Sequence, residues 1–82
     1  MPIILRVKEY RVWFYEADLE EPPHVHVGKA GKEAKYWMAP IALAKSGRFR
    51  GHEPSEIEGI LAEHQNVILQ IWQEEHEKRG NR

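Results

Sequence analysis

Two imidazoles lie two residues apart in Glu21-Pro22-Pro23-His24-Val25-His26-Val27, where a proline-bounded loop gives way to a run of β-formers. Side chains at i and i+2 of a strand share one face, so His24 and His26 are expected side by side. A His-x-His pair of this kind is half of a zinc-type metal site, and a third ligand must come from elsewhere in the chain. His52, Glu33 and the loop acids Glu16, Asp18, Glu20 and Glu21 are the candidates, and no spacing singles one of them out.

The same pair could work without a metal. A base, an acid and a cation set around a scissile phosphate are enough to cleave RNA, and His24 and His26 with Lys35 and Arg6 would supply them if the strands pair in sequence order. Arg6, Arg11, Trp13, Tyr15 and Trp37 add cations and stacking rings for a surface that meets RNA or a protein partner. The plainer account is that the two histidines pack and hydrogen-bond at the start of a strand that Pro22 and Pro23 aim. His64 falls within an apolar helix stripe and reads as a core histidine. His76 stands near a helix C-terminus, where an imidazolium suits the dipole.

The elements that must position these groups follow from periodicity. Ile3, Leu5 and Val7 alternate with Ile4, Arg6 and Lys8, the pattern of a strand, and Tyr10 to Tyr15 is a second, with Val12 and Phe14 on one face and Arg11, Trp13 and Tyr15 on the other. Lys8-Glu9 is the turn between them. Residues 16 to 23, acidic and ending in two prolines, read as a loop. Val25 and Val27 face the core of a third strand, Lys29-Ala30-Gly31-Lys32 reverses the chain, and Ala34, Tyr36 and Met38 alternate with Glu33, Lys35 and Trp37 in a fourth. Pro40 ends that strand or marks an edge. Ile41 to Lys45 is either a fifth strand or a helical turn.

Ile57, Ile60, Leu61, His64, Ile68, Ile71 and Trp72 then recur at helical spacing, with Pro54 in the first turn and Gly80 as the stop. A helix of about 25 residues spans roughly 37 Å, whereas a six-residue strand covers only about 20 Å. Ile71 and Trp72 should therefore need a further surface, either a curved sheet or a second subunit. One helix also covers only one sheet face, which would leave Trp13, Tyr15, Trp37 and the histidine pair in want of a partner. The expected architecture is α+β: an antiparallel sheet of four to five short strands over residues 1–46, and one long C-terminal helix over 51–79 packed on one face, in a single domain spanning 1–82.

Composition narrows the setting. At 82 residues without cysteine, the chain has no disulfide framework and no thiolate metal site, as suits a reducing cytoplasm. Its apolar start is too short for a signal peptide or a membrane span. Charge is segregated: between residues 22 and 52 Lys29, Lys32, Lys35, Lys45, Arg48 and Arg50 are opposed only by Glu33, whereas seven glutamates crowd residues 53 to 82 against three cations. The basic stretch either receives a polyanion or pairs with the acidic helix inside the fold.

Met1-Pro2 with Ile4-Leu5-Arg6, Tyr10-Arg11 with Phe14-Tyr15, the segment Pro22-Pro23-His24-Val25-His26-Val27, Ala34-Lys35-Tyr36-Trp37 and a helix bearing Trp72 together resemble the small bacterial family catalogued as domain of unknown function 4160. That resemblance covers nearly the whole chain and implies no catalytic residues. It does imply a frequent neighbour, domain of unknown function 2442, and a suspected toxin-antitoxin pairing. The expectation is thus a cytoplasmic protein-interaction module, homo-oligomeric or bound to a small partner protein and with RNA as a further candidate ligand, acting as the toxin-like half of a two-gene system. The competing expectation is a metal-independent ribonuclease or a metal-dependent phosphoesterase working through His24 and His26. No particular cofactor is identified, and no membrane partner is expected.

Overall fold

Strict alternation of apolar and polar residues commits the first half of the chain to strands, and the structure, a computed structural model that describes residues 3–80, shows five of them. They are β1 (Ile3–Val7), β2 (Tyr10–Trp13), β3 (His24–Lys29), β4 (Lys32–Met38) and β5 (Ile41–Lys45). Each pairs antiparallel with the next, giving an open meander in the order β1-β2-β3-β4-β5. Residues 41 to 45 are a strand rather than a helical turn. The predicted pleat holds: Val12, Val25, Val27, Ala34, Tyr36 and Met38 are buried on one face.

That face is closed by two helices, α1 (Glu53–Glu63) and α2 (Gln65–Gly80), which follow one another as a bent continuation of the expected single helix. Ile57, Ile60, Leu61 and Ile68 from the apolar stripe enter the same core as Tyr10 and the strand residues. The bend falls at His64, where φ and ψ are −109° and 14° and the ring Nδ1 lies 2.9 Å from the Ile60 carbonyl. The ring shares that carbonyl with the His64 backbone N–H at 3.1 Å, and a side chain inserted at the helical ladder is a known cause of such bends. Gln65 then donates to the Met38 carbonyl at 2.8 Å and fastens the start of α2 to the end of β4. α2 is described as far as Gly80, the residue expected to stop the helix.

The charge segregation is satisfied in part within the fold. Glu53 accepts from Lys32 at 2.9 Å, lies 3.4 Å from Lys29 Nζ, and takes the Arg50 backbone N–H at 3.1 Å, which joins the β3–β4 hairpin to the start of α1. Glu56, one turn later, accepts from Lys8 at 2.6 Å and from the Tyr10 hydroxyl at 2.8 Å, joining the β1–β2 hairpin to the same helix. Lys32, the Arg50 N–H and Lys29 together hold the Glu53 carboxyl down to about 2. A depressed carboxyl stabilises the fold fully above its unfolded value and loses that contribution as pH falls toward its folded value. Glu53→Gln should therefore be less stable than the parent at neutral pH, and the gap should close between pH 4.5 and about 2 in denaturant titrations. A gap that is the same at pH 7 and pH 2.5 would count against the clamp.

The surface that Trp72 needs is supplied within the chain. A 3-10 turn at Glu16–Glu20 occupies the segment expected to be a plain loop, and its Leu19 packs with Phe14 and Trp72 in a second apolar cluster. Phe14 and Trp72 meet edge to face at 4.8 Å between ring centroids. Burial of Trp72 thus needs no second subunit, and beyond it α2 continues on polar residues, which gives the molecule its long dimension of 43 Å. Among the described residues no helix is long and apolar enough to cross a membrane.

Candidate metal centre

The face opposite α1 carries a cross-strand row set by the register, with Trp13 on β2 beside His26 on β3 and His26 beside Lys35 on β4; His24 lies beside Trp37 on the same face. The expectation that this face stands uncovered is not met. The segment from Tyr15 to Pro23 folds back over it, leaving Trp13 and His24 buried, His26 and Trp37 half-buried and Tyr15 exposed. The fold-back is local in origin. The Asp18 N–H donates to the Tyr15 carbonyl at 2.9 Å, the Glu21 N–H donates to the Asp18 carbonyl at 3.0 Å, and Met38 N–H holds the Pro23 carbonyl at 3.0 Å.

This places Asp18 over the histidine pair. Its Oδ2 accepts from the Tyr15 N–H and lies 2.9 Å from His26 Nε2, and its Oδ1 lies 3.4 Å from His24 Nε2. Burial works to raise the Asp18 carboxyl, but the Tyr15 N–H, the His26 hydrogen bond and the nearby imidazoles outweigh it, and the group sits below the usual carboxylate range. One ligand atom from each of Asp18, His24 and His26 lies within 4.8 Å of the others. Of the six candidates for a third ligand, Asp18 is the one that joins the pair.

The outer nitrogens are also held. His24 Nδ1 lies 3.0 Å from the Pro22 carbonyl, which can only accept, so that nitrogen carries the hydrogen and the Nε2 lone pair faces Asp18. His24 Nε2 is fully buried and makes no hydrogen bond, with Asp18 Oδ1 3.4 Å away, longer than an ordinary one. A lone pair beside a carboxylate is repulsive unless a proton or a metal ion lies between them. On the other ring, His26 Nδ1 is 3.4 Å from a Glu33 carboxylate oxygen. Histidines that bind metals through one nitrogen commonly have the other fixed by a carbonyl or carboxylate, and both rings show that pattern.

Aromatic packing sets the ring orientations. His26 stacks on Trp13 with 5.8 Å between centroids and a 25° interplanar angle, and Tyr15 meets it edge to face at 5.0 Å. Trp13 can lie flat on the sheet because residue 28 is glycine: a Cβ there would come within 2.9 Å of the indole. His24 touches Trp37 and Trp72 at 5.6 and 5.4 Å.

The remaining expected site residues are distributed differently. Lys35 is beside His26 in register, but its ammonium pairs with Glu21 at 3.1 Å and lies 4.7 Å over the Trp37 ring, so it points along the strap rather than at the imidazoles. Arg6 and Arg11 are paired across β1 and β2, and the Arg11 guanidinium reaches over Trp13 at 6.0 Å. Arg6, on edge strand β1, is exposed. Sequence reasoning left Asp18 unresolved among the loop acids and did not anticipate Trp72 behind His24. Leu19 was the available signal, since a lone apolar residue in an acidic loop marks a segment that packs down.

A family model described as Domain of unknown function (DUF4160) matches residues 10–73, a span that contains Asp18, both histidines and Trp72. No curated protein and no solved structure matches the chain.

Proposed function

From the premise that the chain belongs to the DUF4160 family, whose description assigns no activity, we propose that it is a metalloprotein holding one divalent transition ion between Asp18, His24 and His26. The observation that carries this reading is the buried His24 Nε2, which has no hydrogen-bond partner and faces the Asp18 carboxylate at 3.4 Å. A zinc ion about 2.0–2.1 Å from each ligand would set the three donors roughly 3.3 Å from one another, close to the 3.4 Å between Asp18 and His24 and a small opening of the 2.9 Å contact between Asp18 and His26. Two imidazoles and one carboxylate without a thiolate suit zinc and its first-row neighbours and leave at least one coordination position for an outside oxygen. A metal with an open position is the requirement of the phosphoesterase reading of His24 and His26. The interaction-module reading, including a place in a toxin-antitoxin pair, draws support from β5, an edge strand whose Leu43 is half exposed.

Zinc titration followed by calorimetry on metal-stripped protein tests the proposal. One ion per chain is expected, with the thermal midpoint rising as zinc is added because the ion binds the folded form. His26→Ala, at a half-buried position, should keep the fold and lose the zinc response. Parent protein that takes up no zinc, or a His26→Ala variant that binds it equally well, would refute the site.

A further inference from the structure

Among the described residues β5 has β4 as its only strand neighbour, so its outer side presents backbone N–H and C=O groups to solvent. Proteins commonly guard such an edge with charges or proline. Here the guards stand at the ends, with Pro40 before the strand and Lys45 closing it, while Ala42, Leu43 and Ala44 between them are exposed and apolar. Leu43 pairs with Tyr36 and lies on the helix side, at the margin of the core. Ala42 pairs with Trp37 on the other face, where the two line a pocket with Pro22, Pro23, Ala39 and Pro40. Every lining side chain is proline, alanine or tryptophan, and Ala42, the residue between Trp37 and the sheet edge, contributes only a methyl group. Strand addition uses both features: main-chain hydrogen bonds attach an extended segment to the edge, and a pocket admits one of its alternate side chains.

Charge selects the occupant. From Ala34 to His52 the chain contains no acid, and Lys45, Arg48 and Arg50 are exposed with no carboxylate partner among the described residues. A second copy of β5 does not complement this edge. Antiparallel pairing would set alanine against alanine beside the pocket and leave it empty, and it would bring further cations to a strip that has no acid. Trp37 pairs with Ala42 and Lys35 with Lys45, so the pocket and the Lys45 ammonium lie two positions of β4 apart on one face. A strand with an apolar residue and a carboxylate at i and i+2 matches both.

We infer that β5 docks an extended acidic segment of a partner protein, which adds a strand to the sheet, seats an apolar side chain against Trp37 and the prolines, and sets a carboxylate beside Lys45. Docking here uses none of Asp18, His24 and His26, so it stands or fails separately from the zinc site. It gives the interaction-module reading a surface and a partner chemistry.

A displayed library of random short peptides selected on the full, metal-stripped chain tests this. Enriched peptides should carry Asp or Glu two residues from a bulky apolar residue, and the selected peptide should slow amide exchange in β5. Ala42→Glu should weaken that peptide by at least about tenfold, because it puts an unpaired carboxylate at the apolar pocket. Lys45→Glu should weaken it too while leaving the sheet intact, since an opposite-charge pair with Lys35 replaces a pair of lysines. No enriched peptide, or a selected peptide that binds Ala42→Glu as it binds the parent, overturns the inference. A dimer in light scattering that Ala42→Glu dissolves assigns the edge to a second copy and overturns it as well. Binding of a single-stranded oligoribonucleotide in place of any peptide assigns the basic strip to nucleic acid, with the same consequence. None of these results bears on zinc uptake.

Discussion

An alanine at Gly47 should destabilise the protein by about 3 kcal/mol, near the upper end for an overpacked site. Gly47 is buried just after β5, where the chain turns from the sheet toward α1 and runs against the backbone of β4. A Cβ there would overlap the Glu33 carbonyl and stand 2.6 Å from the Ala34 nitrogen, and these are backbone atoms that cannot rotate away. Relief requires β4 or the connection to move, and β4 carries Ala34 and Tyr36 in the core and Lys35 beside His26. For a chain of this size the loss corresponds to a fall in the thermal midpoint of roughly 12–24 °C. Thermal unfolding of Gly47→Ala followed by circular dichroism measures it, and a midpoint within a few degrees of the parent would show that the contact relaxes freely.

The second large effect belongs to Asp18. Asp18→Ala removes the group that the Tyr15 N–H, His26 and His24 all face, and the Tyr15 N–H and His26 Nε2 lose their common partner. A buried polar group left without a partner costs about 1–3 kcal/mol, so the fold-back from Tyr15 to Pro23 should loosen and expose His24. Zinc affinity should fall by at least about 100-fold, since loss of a direct ligand exceeds the 10–100-fold typical of removing a group that merely orients one. Asp18→Asn separates the two consequences. Its side chain can still accept the Tyr15 N–H, so stability should largely return while zinc affinity stays low. An Asp18→Asn variant that binds zinc like the parent would place the ion elsewhere, whatever its stability.

Both effects concern contacts between segments, and the legibility of the sequence divides along the same line. The alternation of Val12, of Val25 and Val27, and of Ala34, Tyr36 and Met38 is a property of neighbouring residues, and it carried over directly into strand faces and core. So did the stripe of Ile57, Ile60, Leu61 and Ile68. The bend at His64 did not, because it lies where one ring nitrogen joins the backbone N–H on the Ile60 carbonyl within an otherwise continuous periodic pattern. The length of the helical stripe requires another surface for Trp72, and neither a curved sheet nor a second subunit supplies it. The surface came from Phe14 and Leu19, which periodicity assigned to a strand face and an acidic loop.

The candidate centre shows the same limit. The sequence by itself determined that His24 and His26 share a face, because pleat geometry is local, and that a third ligand had to be drawn from elsewhere. Tertiary structure alone decided that Asp18 is the residue that meets them and that Lys35 is taken by Glu21. The physical reason is one of range. Side-chain alternation and helical period are fixed within a few bonds, whereas a meeting of Asp18 with His24 and His26 requires the whole segment between Tyr15 and Pro23 to reverse. That reversal is stabilised by Leu19 packing on a tryptophan 53 positions further along the chain.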